Sequence, residues 1–363
     1  MTTIAVIGLG TMGLGIAAVY AAAGHRVLVT DASADARDSA FARLEATLPK
    51  TTAPKDLDRI LAHLTLVDRL SDLDGADLVI EAIAEDLAAK QTLFTQLEDI
   101  VRPGCVLATN TSSLSVAALA APLSRPERLL GLHFFNPAPV MRLVERVAHP
   151  GTSHSALELA RTLTEAAGKV VIDAPDRPGF IVNRCARPFY GEALALLEEG
   201  HSPAAIDGAM LAAGYRLGPF ALIDLIGADI NLAATQGLYH AMGHHPRYYP
   251  FAALREQVAQ GDLGRKTGRG FLYPDRAAPA VNPSLVLRIE AALVNEADWL
   301  LAEGGTRADG VDTAVRLGLN FPRGPSQMRE AHGPEVIAAT LRALEAAAPA
   351  HLKSRYLPPG KAI

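Results

Sequence analysis

Residues 133–145 read HFFNPAPVMRLVE: a histidine, two phenylalanines, an Asn-Pro stop, and a glutamate twelve positions after the histidine. A buried strand accounts for the phenylalanines and leaves His133 and Glu145 unexplained. An imidazole changes charge near neutral pH, which suits it to moving protons in either direction. A second chemical pattern lies near the start of the chain. Gly8, Gly10 and Gly13 fit G-x-G-x-x-G, with Thr11 and Met12 between the last two. Such a turn lets backbone approach a pyrophosphate at a helix N-terminus. An apolar run precedes it, a small-residue helix follows, and a further strand, RVLVTD, ends in Asp31, eighteen residues after Gly13. A carboxylate there accepts from a ribose 2′-hydroxyl and repels a 2′-phosphate, so the expected cofactor is NAD rather than NADP. A glycine turn by itself occurs in many α/β proteins; the flanking strands give this one its meaning.

The elements that must hold these residues read as a sheet with helices on both faces. Residues 34–63 look helical and charged, with Arg37, Arg43 and Lys50 among them. LTLV (64–67), DLVIEAI (77–83), CVLATN (105–110), RLLGLHFF (128–135) and KVVIDA (169–174) read as strands. MRLVERV (141–147) alternates and is expected to add antiparallel. LAAKQTLFTQLEDI is an amphipathic helix, and a serine of TSSLSV caps the helix after it. This alternation predicts a doubly wound, mostly parallel sheet that binds its ligand at the C-terminal strand ends. Glu85, Asn110, Ser112 and His133 fall at such ends.

The 363 residues suit two or three domains. Net charge is −5 with both signs scattered and no basic tract, which speaks against a nucleic-acid partner. The two cysteines, Cys105 and Cys185, stand far apart, so a disulfide framework is excluded and a reducing compartment is expected. No run is long and apolar enough for a membrane span. The first strand begins at residue 3, which leaves no room for a removable leader, and a cytoplasmic protein is the expectation. Adjacent histidines in GHHPRYY (243–249) rarely share a metal without further ligands; that segment reads as a surface loop, and no metal is expected.

After DAPDRPGF the strand signal stops and the chain is helical. It is also written twice. NRCARPFYGEALALLEEGHSPAAIDGAM (183–210) resembles LRIEAALVNEADWLLAEGGTRADGVDTAV (287–315). Arg184 matches Arg288, Glu192 matches Glu296, Glu199-Gly200 matches Glu303-Gly304, and Asp207 matches Asp312 after one insertion. RLGPF (216–220) corresponds to PRGPS (322–326). Asn183, by contrast, faces Leu287, which points to function in the first copy and scaffold in the second. The expected architecture is an α/β Rossmann-like domain, 1–178, then an all-α domain of two repeated helical units, 179–275 and 285–363.

The motifs GLGTMGLGIA, EAIAEDLAAK, TNTSSLS, GLHFFNPAPVMRLVE, PGFIVNR, GPFALIDLIGADI and LGRKTGRGF together resemble the L-3-hydroxyacyl-CoA dehydrogenases, from residue 3 to about residue 274. Within the family the tandem helical unit and NRCARPFYGEAL are most similar to the bacterial 3-hydroxyadipyl-CoA dehydrogenases of phenylacetate breakdown. The connection between the units, Pro274 to Ser284, is shorter than that subgroup suggests. The resemblance implies NAD-dependent oxidation of a 3-hydroxyacyl-CoA thioester in a cleft between the halves. It makes His133 the general base and Glu145 the carboxylate that fixes its tautomer, as the aspartate does in hydrolase triads. Without it, Glu145 is a surface glutamate on an edge strand. It also implies Ser112 and Asn183 as donors to the reacting oxygen, and Asn136 as support for the loop. Glu85, Lys90 and Asn110 would lie on the cofactor side, although Lys90 by itself reads as an exposed lysine. Arg43 would meet coenzyme A. Arg187 and Arg216 would meet a second carboxylate if the acyl chain carries one. LGRKTGRGF follows no strand and reads as the structural close of the first helical unit. Single-unit family members commonly dimerise through that unit, so the duplication leaves a monomer or a different homodimer. Two rivals remain: a gulonate-type sugar-acid dehydrogenase on the same scaffold, and a non-catalytic NAD-binding module.

Overall fold

The computed structural model describes residues 2–48 and 54–360. Lys50 lies outside them. The chain divides into two compact units, Met1–Phe180 and Ile181–Ile363.

The first unit opens with β1 (Thr3–Ile7), α1 (Thr11–Ala22) and β2 (Arg26–Thr30). The helical stretch expected over 34–63 is three helices: α2 (Ala34–Asp38), α3 (Ala40–Thr47) and α4 (Pro54–Ala62). The sequence supplies the breaks. Ser33 caps α2 by accepting from Ala36 N–H, Ser39 separates α2 from α3, and Pro54 starts α4, where a missing N–H costs nothing. Then come β3 (Leu64–Leu66), β4 (Leu78–Glu81), α5 (Leu87–Ile100), β5 (Val106–Thr109), α6 (Val116–Ala120), β6 (Leu129–Phe134), β7 (Leu143–Ala148), α7 (His154–Ala166) and β8 (Val170–Pro175).

The strands form one eight-stranded sheet in the order β3-β2-β1-β4-β5-β6-β7-β8. Neighbours are parallel except β6 and β7, the antiparallel addition. Strands such as β4, LVIE, and β5, VLAT, are buried at every position, as expected where helices cover both faces. Strand order reverses between β1 and β4, and doubly wound sheets bind ligands at the C-terminal ends beside such a reversal.

The second unit contains α8 (Val182–Glu198), α9 (Pro203–Ala212), α10 (Pro219–Ile226), α11 (Ala228–Ala241), α12 (Ala252–Ala259), α13 (Pro283–Glu303), α14 (Ala308–Gly318), α15 (Pro325–His332) and α16 (Pro334–Ala347). The repeat is a repeat of devices. Asp207 accepts from Phe220 and Ala221 N–H, and Asp312 from Ser326 N–H, each at the start of the helix after a Gly-Pro corner. A Cβ on Gly218 would stand 2.2 Å from Asp207, and one on Gly324 2.4 Å from Asp312, so both corners require glycine.

The copies lock together by exchange. Arg184 of α8 donates to Glu296 (2.7 Å) and Glu303 (2.7 Å) of α13; Arg288 of α13 donates to Glu192 (3.0 Å) and Glu199 (2.5 Å) of α8. This reciprocity is that of a two-fold interface, here within one chain. GHHPRYY is not a surface loop throughout. Its Pro246–Tyr248 turn buries Arg247 and Tyr248. Arg247 stacks on Trp299 at 4.0 Å and Tyr248 donates to Glu296 at 2.7 Å. The surface expectation failed because the arginine and tyrosine are consumed by the second copy.

Candidate active site

The glycine turn is tightly packed at two of its three glycines. Gly8 has φ +98°, and a Cβ there would lie 2.5 Å from the Ala82 carbonyl oxygen. A Cβ on Gly13 would lie 1.7 Å from the Gly8 carbonyl oxygen. These glycines let β1, α1 and β4 approach. Gly10 differs: a Cβ there would meet nothing within 4 Å, and the residue leads into α1 with no side-chain cap. Open space before uncapped helix amides fits a pyrophosphate. Asp31 follows β2, and its Oδ2 accepts from Leu9 N–H at 2.7 Å, which ties this carboxylate to the turn. The donor set and the glycine cradle fit NAD. Met12 packs partly buried on the core, while Thr11 faces a cavity of about 270 Å³ lined also by Arg43, Asn136 and Pro137.

Histidine and glutamate meet because register places them opposite each other. In the β6–β7 ladder His133 pairs with Glu145. His133 Nδ1 and Glu145 Oε2 are 2.7 Å apart. Glu145 is 0% exposed and His133 6%, so the edge-strand surface glutamate is ruled out. With the carboxylate accepting from Nδ1–H, a neutral ring carries its lone pair on Nε2. No bond to Nε2 is formed among the described residues. The ring is flanked by Phe135 (4.4 Å between centroids) and Phe180 (5.7 Å). Phe180 has φ +45°, a left-handed conformation unusual for a bulky residue and characteristic of functional sites.

The loop after β5 hangs on Glu85. Its Oε1 accepts from the Thr111 hydroxyl (2.6 Å), Ser112 N–H (3.1 Å) and Ser113 N–H (3.2 Å). Burial works against the Glu85 charge, but these bonds and Lys90 outweigh it and hold the carboxyl below its usual range. Ser115, not Ser112, caps α6 by accepting from Ala118 N–H, so Ser112 is not used as the cap. Lys90 is not an exposed lysine: it is 1% exposed, donating to Glu81 at 2.5 Å and facing Glu85 at 3.4 Å. Asn110 Oδ1 accepts from Phe134 N–H at 2.8 Å and so ties β5 to the residue after His133.

Three supports were missed from sequence. Glu81, fully buried, binds Lys90, Thr109 and Ile83 N–H together. An acid closing an apolar strand in LVIE was the available signal. Lys169 donates to the carbonyls of Ala138 (2.5 Å) and Met141 (2.9 Å), pinning the loop that carries Asn136. Burial pulls its ammonium down to about 8. Phe180 carried no signal beyond its place after Gly179.

In the helical unit Asn183 lies in the first turn of α8. Arg187, one turn on, is buried and bonded to Thr235, whereas Arg216 is exposed and lines a cavity of about 440 Å³ with Asp207, Arg265 and Tyr273. The two arginines expected at one carboxylate share neither bond nor cavity among the described residues. LGRKTGRGF folds around Asp224, which accepts from Phe271, Leu272 and Tyr273 N–H.

A dinucleotide-type sheet with a strand-paired imidazole and carboxylate defines an oxidoreductase of the nicotinamide class. Residues 3–177 match the family model for the 3-hydroxyacyl-CoA dehydrogenase NAD binding domain; 179–273 and again 285–359 match its C-terminal domain. The chain belongs to the 3-hydroxyacyl-CoA dehydrogenase family. It is 46% identical over 283 residues to the 3-hydroxyadipyl-CoA dehydrogenase of Escherichia coli K12, a match covering 76% of this chain and 59% of that relative, less than two thirds of its length. It is 38% identical to human mitochondrial hydroxyacyl-coenzyme A dehydrogenase, over 74% of this chain and 90% of that one. The crystal structure of 3-hydroxybutyryl-CoA dehydrogenase from Escherichia coli K12 superposes with a TM-score of 0.89 at 34% identity, covering 99% of this chain and 97% of that one. Among the described residues no helix is long and apolar enough to cross a membrane.

Proposed function

We propose that this protein oxidises (S)-3-hydroxyacyl-CoA thioesters to 3-oxoacyl-CoA with NAD, and that 1–178, 179–275 and 285–363 are its three structural domains. The observation that carries the reading is the buried His133–Glu145 pair at the C-terminal end of the sheet, with Nε2 left for a proton. Gly8, Gly10, Thr11, Met12 and Gly13 hold the cofactor phosphates, Asp31 the ribose, and Glu85, Lys90 and Asn110 support the nicotinamide side. NAD, when bound, supplies the hydride acceptor.

His133 takes the substrate hydroxyl proton on Nε2. The imidazolium then lies against a fully buried carboxylate, where attraction is stronger than in water. Ser112 and Asn183 donate to the substrate oxygen as its charge develops. Asn136 braces the loop, and Arg43, on the cavity shared with Thr11, meets a phosphate of coenzyme A. The protein works in the cytoplasm as a monomer or a homodimer; the Arg–Glu exchange that joins the two helical copies within one chain favours the monomer. The acyl group is that of the relatives' names, 3-hydroxyadipyl or 3-hydroxybutyryl.

The test is NADH consumption with acetoacetyl-CoA and 3-oxoadipyl-CoA. Turnover of either thioester is expected. Tight NADH binding without turnover of either would overturn the reading in favour of a sugar-acid enzyme or a binding module.

A further inference from the structure

Arg187 is a buried cation without a buried anion. It is 8% exposed, on α8. Its Nη1 donates to Thr235 Oγ1 (2.8 Å) and weakly to Asn231 O (3.4 Å), its Nε to Asn183 O (3.3 Å), and its guanidinium lies 5.0 Å from the Tyr190 ring centre. No carboxylate pairs with it and no bond is made by Nη2 among the described residues. Burial accordingly draws its proton affinity below the usual range, with only the Tyr190 oxygen opposing. Beside it, Asn231 is 2% exposed, and neither its Oδ1 nor its Nδ2 has a partner among the described residues. Buried polar atoms are normally satisfied, and each orphan calls for an explanation. The other buried arginines of this unit answer to carboxylates: Arg184 to Glu296, Arg355 to Glu192, Arg247 to Glu296.

The second copy supplies the control. Counting from matched Arg184 and Arg288, Asn183 and Arg187 fall on Leu287 and Ala291. Counting from the Gly-Pro corners Gly218 and Gly324, Asn231 and Thr235 fall on Ile337 and Leu341. Ala291, Ile337 and Leu341 are buried, so the same fold fills these positions with hydrocarbon when nothing polar is required there.

We infer that Arg187 and the Asn231 amide form a seat for a carboxylate at the far end of the acyl chain, so that the preferred substrates are short dicarboxylic 3-hydroxyacyl-CoA thioesters. This rests on the dehydrogenase reading above, with Asn183 at the reacting oxygen. Asn183 and Arg187 stand one helical turn apart, about 6 Å, which suits a chain as short as adipyl. A carboxylate matches a guanidinium fork better than any other small anion of acyl chemistry, accepting from Nη2 and from Asn231 Nδ2 together. Arg216, exposed at a different cavity, takes no part.

The experiment compares 3-oxoadipyl-CoA with 3-oxohexanoyl-CoA, of equal length without the charge, in the wild type, Arg187→Met and Asn231→Ile. The wild type is expected to favour the charged thioester by about 100-fold in kcat/KM, and both variants to bring that ratio to within a few-fold of one. Arg187→Met is expected to melt no lower than wild type, since an apolar side chain replaces an uncompensated buried charge. Equal rates for the two thioesters in the wild type, or a preference surviving in both variants, would overturn the inference. A lowered melting temperature with an unchanged ratio would make Arg187 structural and overturn it too. If Arg187→Met fails to fold, Asn231→Ile decides by the same ratio. Failure of the wild type on both thioesters would instead refute the dehydrogenase reading.

Discussion

Among the described residues two buried glutamates are bonded to histidines, and their settings differ. In the sheet, His133 meets Glu145 at 2.7 Å; in the helical unit, His332 meets Glu290 at 2.5 Å. Both carboxylates are 0% exposed. Glu290, however, also takes the fork of Arg323 (3.0 and 2.6 Å) and the hydroxyl of Tyr215 (2.9 Å). It joins α13 to the start of the first copy's Gly-Pro corner and to α15. His332 ends α15, where the helix dipole itself favours positive charge. His133 stands next to last in β6, at the C-terminal end of a doubly wound sheet, its ring set between Phe135 and Phe180. A His–Glu pair is therefore no site by virtue of composition. Position in the topology decides between chemistry and cross-link.

Exchanging each carboxylate for its amide separates the two. Glu145→Gln is expected to lower kcat about 10³-fold, because the amide no longer fixes the tautomer or answers the imidazolium. Its stability should change far less than its rate. Glu290→Gln is expected to do the reverse. It leaves the Arg323 guanidinium, 28% exposed, without its carboxylate and should cost about 2 kcal/mol of stability, read by urea unfolding, with the rate per folded molecule close to wild type. A kcat loss in Glu290→Gln matching that of Glu145→Gln would erase the distinction.

A smaller effect concerns Glu85, which anchors the Ser112 loop. Its folded-state pKa is depressed, so its contribution is present above the ordinary carboxylate range and is lost as pH falls through the folded value. The side chain is 37% exposed, so solvent screening keeps the effect below about 1 kcal/mol. The stability gap between wild type and Glu85→Gln should therefore be present at neutral pH and close below about pH 4. A gap that widens on acidification would contradict the depressed pKa.

Much of this was legible in the sequence because the signals were local. The turn Gly8–Gly13, the strand run and Asp31 each fix backbone within a few residues. The duplication was legible because its scaffold pairs, Arg184 with Arg288 and Glu192 with Glu296, are written at one offset. What stayed hidden depends on pairing distant in sequence. The burial of Glu145 needs the β6–β7 register, and that of Lys90 needs Glu81 across β4 and α5. The burial of Arg247 and Tyr248 needs Trp299 and Glu296 from the other copy. The buried polar cluster of Arg187, Asn231 and Thr235 shows only once α8 and α11 are seen to share it.

The most direct test of the central claim is turnover of acetoacetyl-CoA by His133→Gln beside His332→Gln, with NADH binding measured on both. The account predicts that His133→Gln binds NADH like wild type and loses at least about 10²-fold in kcat, whereas His332→Gln turns over normally. Turnover by His133→Gln within a few-fold of wild type would contradict it.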